Sequence, residues 1–448
     1  MPAADPTPLL IVAFLGVSLV VVLITWLRMP AFLALATGSL FVGLAARMPL
    51  AEIPRAFQSG VGDTLGFVAM VIGLGTVIGK LLAESGGAAV VSGALIRTMG
   101  ERRLDWALML SGFIIGLPVF FQVGLVLLAP VLFTVSRQTG TPLLRLGLPM
   151  VAGLSVAHGL VPPHPGPLAA IELLGADPGR TLFYSLVVGL PVAILSGPLF
   201  TRFIGSRVHA EPGTIAEQFS GARAAVRPPS LGITLLTILM PVILMLGAAL
   251  AQTTMSDGAV RQGLTFAGLP LMAMLLATLL ALVTFGQARG FSRESILTFA
   301  EESLPPIASV LLVVGAGGGF GRVLDAAGVD TAIAQAMSGL QLSPLVLGWV
   351  IASLLRVSVG SATVAVVTAA GIMAPIAAAM PGVNRELLVV AIGAGSLIAS
   401  HVNDGGFWLV KEYLNMSVPQ TFATWTVIET IIAIAALAGV LMLGTVVG

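Results

Sequence analysis

The chain has 448 residues, 57% of them apolar and only 9% charged, with a mean hydropathy of +1.05. At that composition most of the backbone must lie in lipid, so the chain reads as an all-α polytopic membrane protein. A net charge of +1 argues against nucleic acid as a partner, and the lack of any cysteine excludes disulfides, thiolate catalysis and sulfur-ligated metal.

Lipid offers no partner to an unsatisfied backbone group, and no period-two alternation hints at a closed barrel. The spans are therefore expected as helices of roughly 20 residues. The first apolar stretch, 8–27, follows an acidic start free of Lys and Arg and is long enough to cross, so it reads as the first helix and not as a cleaved signal. Further spans are expected near 30–46, 62–82, 142–163, 181–203, 231–251, 263–285, 305–324, 387–410 and 424–446. Two apolar stretches, 105–135 and 344–380, do not fit one crossing. Each is long for a single helix, and the first is too short for two at about 1.5 Å per residue. Each also breaks in the middle, at Gly116-Leu117-Pro118 and at Ser358-Val359-Gly360-Ser361. A pair of half-helices that enters and leaves by the same side satisfies both facts, so both are expected as re-entrant hairpins. The polar stretch 205–230 reads as a cytoplasmic linker, and 83–104 and 325–343 as interfacial helices.

The two halves repeat at a spacing of about 242 residues. VIGLGTVIGKLLAESG (71–86) matches VVGAGGGFGRVLDAAG (313–328), with Gly73, Gly75, Gly79, Lys80, Leu82 and Gly86 answering Gly315, Gly317, Gly321, Arg322, Leu324 and Gly328. An interrupted stretch follows in each half, ending at Ala129-Pro130 and Ala374-Pro375, and then a run ending at His158 and at His401. With both termini outside, Arg28, Lys80, Arg97, Arg102, Arg103, Arg137, Arg145, Arg202, Arg207, Arg223, Arg227, Arg289, Arg293 and Lys411 fall on the cytoplasmic side. The opposite side receives Arg47, Arg55, Arg180, Arg261, Arg322 and Arg385, a positive-inside bias. Each half then holds five crossings, an odd number, which inverts the second half relative to the first. The expected architecture is an inverted repeat of five helices plus one hairpin each. Residues 1–204 (scaffold 8–82, hairpin 105–135, broken helix 142–171, helix 181–203) precede the linker. Residues 231–448 (scaffold 231–324, hairpin 344–380, broken helix 387–410, helix 424–446) follow it.

Broken helices in inverted repeats place binding groups near the midplane, and their N-terminal dipole ends favour an anion. The breaks nominate Gly116, Phe121, Gln122, His158 and His164 from the first half, and Ser358, Gly360, Ser361, Thr363, Thr368, His401, Asn403 and Gly405 from the second. Small hydroxyl and amide side chains beside glycine suit a polyhydroxylated solute. Membrane Ser and Thr often bond back to their own helix, so the clustering at one break carries the argument. The glycines 73–79 and 315–321 read as close helix packing and stay outside the site. Asp404 is different, because a carboxylate at membrane depth is costly and proton relay is among its usual roles; His158 and His401 are its expected companions. Arg356 either neutralises a carboxylate or snorkels outward, and Lys411 marks the cytoplasmic boundary. No metal or other cofactor is implied.

GLPVFFQVGLVLLAP (116–130), HGLVPPHPGP (158–167), SVGSATVAVVTAAGIMAP (358–375), SHVNDGGFWLVKEY (400–413) and TWTVIET (424–430) together resemble the gluconate permease family of bacterial proton-coupled symporters. The resemblance runs from about residue 60 to the C-terminus. It implies uptake of gluconate or a related small sugar acid across the inner membrane, energised by protons. The family is similar to the wider ion transporter superfamily, which implies homodimers and an elevator motion. One residue departs from the family pattern: an acid usually follows the paired phenylalanines, and here Gln122 follows Phe120-Phe121. Glutamine keeps the size and a hydrogen bond but cannot titrate, so it stands where a protonated acid would. If the family's proton carrier is that acid, this chain is coupled through Asp404 or a histidine, is uncoupled, or is a neutralised variant.

Glycerate and D-serine also present a carboxylate beside a hydroxyl or amine, and the same groups would serve them. An intramembrane hydrolase would account for buried His and Asp, yet no HExxH pairing exists, and the chain is not expected to be an enzyme. A channel would account for polar breaks, but two inverted halves meeting at one site favour alternating access.

Overall fold

The protein's structure, a computed structural model, describes residues 7–205, 208, 227–329, 332, 343–380, 382–402 and 404–447. Most of the linker 205–230 and of the second arm 325–343 lie outside the described residues, as do Asn403 and the side chain of Ser358. Every regular element among the described residues is a helix, as a backbone in lipid requires. Nine of these helices are long and apolar enough to cross a membrane. The chain is a multi-pass membrane protein.

Three stretches expected as full spans differ. Ala31–Ala45, within 30–46, has 15 residues, or about 22 Å, short of the ~30 Å hydrocarbon core. The 263–285 stretch is two helices, Ala259–Ala267 and Pro270–Ala281. Pro270 starts the second because a proline fits a helix's first turn but cannot donate from its interior. The 387–410 stretch is likewise Arg385–Gly395 and Gly405–Tyr413, with non-helical backbone between them.

One succession of elements occurs twice. In the first half a long helix (Glu52–Glu84) leads through Gly87–Met99 to a helix pair, Leu104–Gly116 and Phe121–Thr139. A broken helix follows, Leu143–Leu160 and Pro165–Leu174, and then a closing helix over 178–204. In the second half Ala308–Ala326 leads to the pair Pro344–Val359 and Ala362–Ala378. The broken helix is Arg385–Gly395 with Gly405–Tyr413, and the closing helix runs over 418–447. Both closing helices contain a π-type turn, at Leu195–Leu199 and at Phe422–Thr426.

Leu143–Leu160 is the centre of the molecule: every residue in it except Arg145 and His158 is buried. Between membrane helices the lipid supplies little hydrophobic drive, so close packing through small residues carries association. Gly112 and Gly153 meet reciprocally, and a Cβ on either would lie 2.2 Å from the carbonyl oxygen of Met150 or Met109. This fixes the first pair against the central helix. The two broken helices cross at Gly393, where a Cβ would come 2.5 Å from the carbonyl of Gly159. Gly395 meets the Trp349 carbonyl at 2.3 Å in the same sense, which locks the second pair onto its own broken helix. Both breaks are thereby drawn to one place.

Candidate functional site

The first helix pair breaks where the residues require it. Pro118 has no N–H to continue the helix ending at Gly116, and the chain runs through Phe120 in extended conformation before restarting at Phe121. Gln122 therefore sits in the first turn of a helix. The second pair breaks at Gly360, whose φ of 78° is left-handed and costs glycine nothing. Ser361 then caps Ala362–Ala378 by accepting a hydrogen bond from the Val364 N–H at 3.4 Å. Asp404 caps Gly405–Tyr413 in the same way, accepting from the Gly406 N–H at 2.8 Å.

These three helix starts open onto one cavity of about 250 Å³, near the lower end of small-molecule sites. Phe121 and Gln122 line it from the first pair, Arg356 and Val359 to Thr363 from the second, and Leu397 with Asp404 to Gly406 from the second broken helix. Ser155 and His158 reach it from the central helix, and Trp425 and Glu429 from the closing helix. A larger groove between the two closing helices is lined almost wholly by Val, Leu, Ile and Ala side chains and offers nothing to a hydrophilic solute.

The cavity's electrostatics centre on Arg356, only 3% exposed. Its guanidinium donates to the Gly360 carbonyl at 2.5 Å and to Asp404 Oδ2 at 2.5 Å, while Nε has no partner among the described residues. Ser400 donates to the same carboxylate and accepts from Trp425 Nε1 at 2.8 Å. Asp404 is thus an anchor that caps a helix and aims the arginine. Breaking such a buried pair by removing one partner costs about 3–5 kcal/mol. Opposite, Glu429 is 1% exposed and accepts a hydrogen bond from Ser155 at 2.5 Å. His158 packs against Phe121 at 6.4 Å and His164 at 5.0 Å between ring centroids, and its Nδ1 has no partner among the described residues. Buried polar atoms are nearly always satisfied, and these two nitrogens, on Arg356 and His158, belong to side chains that line the same cavity.

The structure brings together Phe121, Gln122, His158, Gly360, Ser361, Thr363, Asp404 and Gly405 among the residues nominated by sequence. It does not bring Gly116, His164, Thr368 or His401 to the cavity lining. Gly116 and His164 lie behind it, with His164 Nε2 2.5 Å from the Gly116 carbonyl, so they join the first break to the first broken helix. Thr368 is buried, 2% exposed, in the body of Ala362–Ala378. His401 does not line the cavity; its Nε2 lies 3.1 Å from the Val357 carbonyl at a half-buried position. The physical reason is the break's length. The central helix runs on to Leu160 and carries His158 into the site, whereas Arg385–Gly395 stops earlier and leaves His401 on non-helical backbone. Sequence reasoning missed Ser155, Trp425 and Glu429 in the lining. For Glu429 a signal existed, since it is the one acid in the apolar run Val427–Val447.

The model of the GntP family permeases matches residues 7–447. The chain is 47% identical over 440 residues to a gluconate permease of Pseudomonas aeruginosa, covering 98% of both chains. It is 40% identical over 440 residues to the L-idonate transporter of the Gnt-II system of Escherichia coli, covering 98% of this chain and 99% of that one. Among solved structures it is similar to the YdaH transporter of Alcanivorax borkumensis, with a TM-score of 0.62 at 18% identity over 89% of this chain and 90% of that one. With a polar cavity enclosed by broken helices and a family match over nearly its whole length, the chain belongs to the GntP permease family and is a membrane transporter, not an enzyme.

Proposed function

We propose that the protein imports gluconate or a closely related sugar acid by proton symport. The observation that carries this reading is the convergence of three helix N-termini and an orphaned Arg356 Nε on one hydroxyl- and amide-lined cavity. Helix starts and a guanidinium suit a carboxylate, and Gln122, Ser361, Thr363 and His158 suit the hydroxyls beyond it. The names of the gluconate and L-idonate relatives point to the same substrate class.

The transport cycle is an elevator. Every cavity-lining residue comes from the helix pairs, the broken helices and the closing helices, and none from 7–103 or 231–326. A bundle that holds its whole site can carry it as a unit past a scaffold. The twice-repeated succession of elements supports an inverted repeat with re-entrant hairpins. The positive-inside bias supports an inner-membrane protein with both termini periplasmic, and the resemblance to the ion transporter superfamily supports a homodimer.

Thermal shift of the purified protein against gluconate, L-idonate, glycerate, D-serine and neutral glucose tests the substrate class. A ligand at 100 times its Kd stabilises by about 2.7 kcal/mol. Gluconate should raise Tm and glucose should not. Stabilisation by glucose, or by none of the acids, rejects an anionic sugar-acid site.

A further inference from the structure

We propose that Glu429 carries the coupled proton in this protein. The inference deepens the symport reading above and rests on it. Gln122 cannot titrate, and Asp404 is committed to the Arg356 guanidinium, to Ser400 and to the cap of Gly405–Tyr413. Glu429 is the other carboxyl in the cavity lining, and among the described residues no ion pair holds it. Its hydrogen-bond partner is the neutral hydroxyl of Ser155. A hydroxyl can donate to a carboxylate or accept from a carboxylic acid, so this contact survives either protonation state. An arginine partner would tolerate only one.

The groups facing Glu429 from the packed elements set the coupling. Arg356 and Asp404 act on it electrostatically, and His158 shares the cavity from the central helix. Arg145, Arg180, Tyr184, Arg385 and Glu386 sit on helices packed against the closing helix but do not line the cavity. With Arg356 and Asp404 cancelling each other, a substrate carboxylate and an ionised Glu429 would leave two net negative charges in one cavity. A proton on Glu429 removes one of them. Anion binding and proton binding therefore favour each other, and that linkage couples anion uptake to proton entry. Glu429 takes the proton from water on the outer side and returns it to water on the inner side once the anion has left. No covalent bond other than O–H forms or breaks.

The test uses the full-length protein in proteoliposomes with gluconate as the probe. E429Q should lose accumulation driven by an imposed pH gradient, and whatever gluconate counterflow it shows, a mode with no net proton movement, should no longer vary with pH. Gradient-driven accumulation by E429Q at the wild-type level overturns the proposal while leaving the substrate reading intact. A wild type without counterflow defeats both. If E429Q is not recovered folded, S155A replaces it. Removing the hydroxyl should shift the pH of half-maximal accumulation, and an unchanged profile overturns the proposal.

Discussion

The two helix pairs reach the same cavity with opposite chemistry. The first presents Phe121 and Gln122, both neutral, with the Phe121 ring 5.2 Å from Trp425 and 6.4 Å from His158 between centroids. The second presents Arg356, Gly360, Ser361 and Thr363, tied by an ion pair to Asp404 on the broken helix behind it. The broad succession of elements is shared, so the difference lies in the tips: one wall shapes the cavity and the other supplies its charge. A repeat can therefore double a scaffold without doubling a function.

The largest expected effect tests the charged wall. Arg356→Gln should weaken gluconate binding by about 10- to 100-fold, the loss of a charge-assisted hydrogen bond worth about 1.5–3 kcal/mol. It should also lower Tm, because Asp404 is left buried and unpaired. Adding Asp404→Asn should recover Tm and not binding. Joint recovery in calorimetry would mean that the arginine is only structural. On the neutral wall, Gln122→Glu should weaken gluconate binding several-fold at alkaline pH and little at acidic pH, since an ionised acid repels the anion and a protonated one does not. An unchanged pH dependence of uptake would break the view that Gln122 stands in for a protonated acid. The smallest effects compare the two histidines of the repeat. His158→Ala should cost about fivefold in affinity, one hydrogen bond's worth, and His401→Ala less than about twofold. Equal losses in titration would show that the repeat's symmetry extends into the site after all.

Much of this was legible in the residues. Pro118 and Gly360 announce both breaks, because each removes something a continuing helix needs: a donor in one case, a right-handed φ in the other. Gln122, Ser361 and Thr363 follow from the breaks, and Asp404 from the cost of a carboxylate in lipid. The same cost applies to Glu429, the one acid in the apolar run Val427–Val447. Ser155 is invisible to pattern, since a membrane serine ordinarily bonds to its own helix, as Ser111 does to the Ala107 carbonyl at 2.8 Å. Only the long-range contact with Glu429 distinguishes it. His401 misled through symmetry: equal places in two repeats are equal in space only if the helices end alike, and these do not. The short helix over 31–45 and the break before Pro270 lie in the scaffold, where hydropathy reports burial in lipid but not helix length.

The π-type turn at Phe422–Thr426 has a consequence for engineering. A turn with one residue more than usual rotates everything downstream by roughly a quarter revolution. Trp425 lies inside that turn and Glu429 three residues beyond it. Excising a single residue there would keep every side chain of the cavity in the polypeptide yet swing the carboxyl out of line with Ser155. The aim of that acid is thus a matter of phase, and a scan that only exchanges side chains would never detect how it is set.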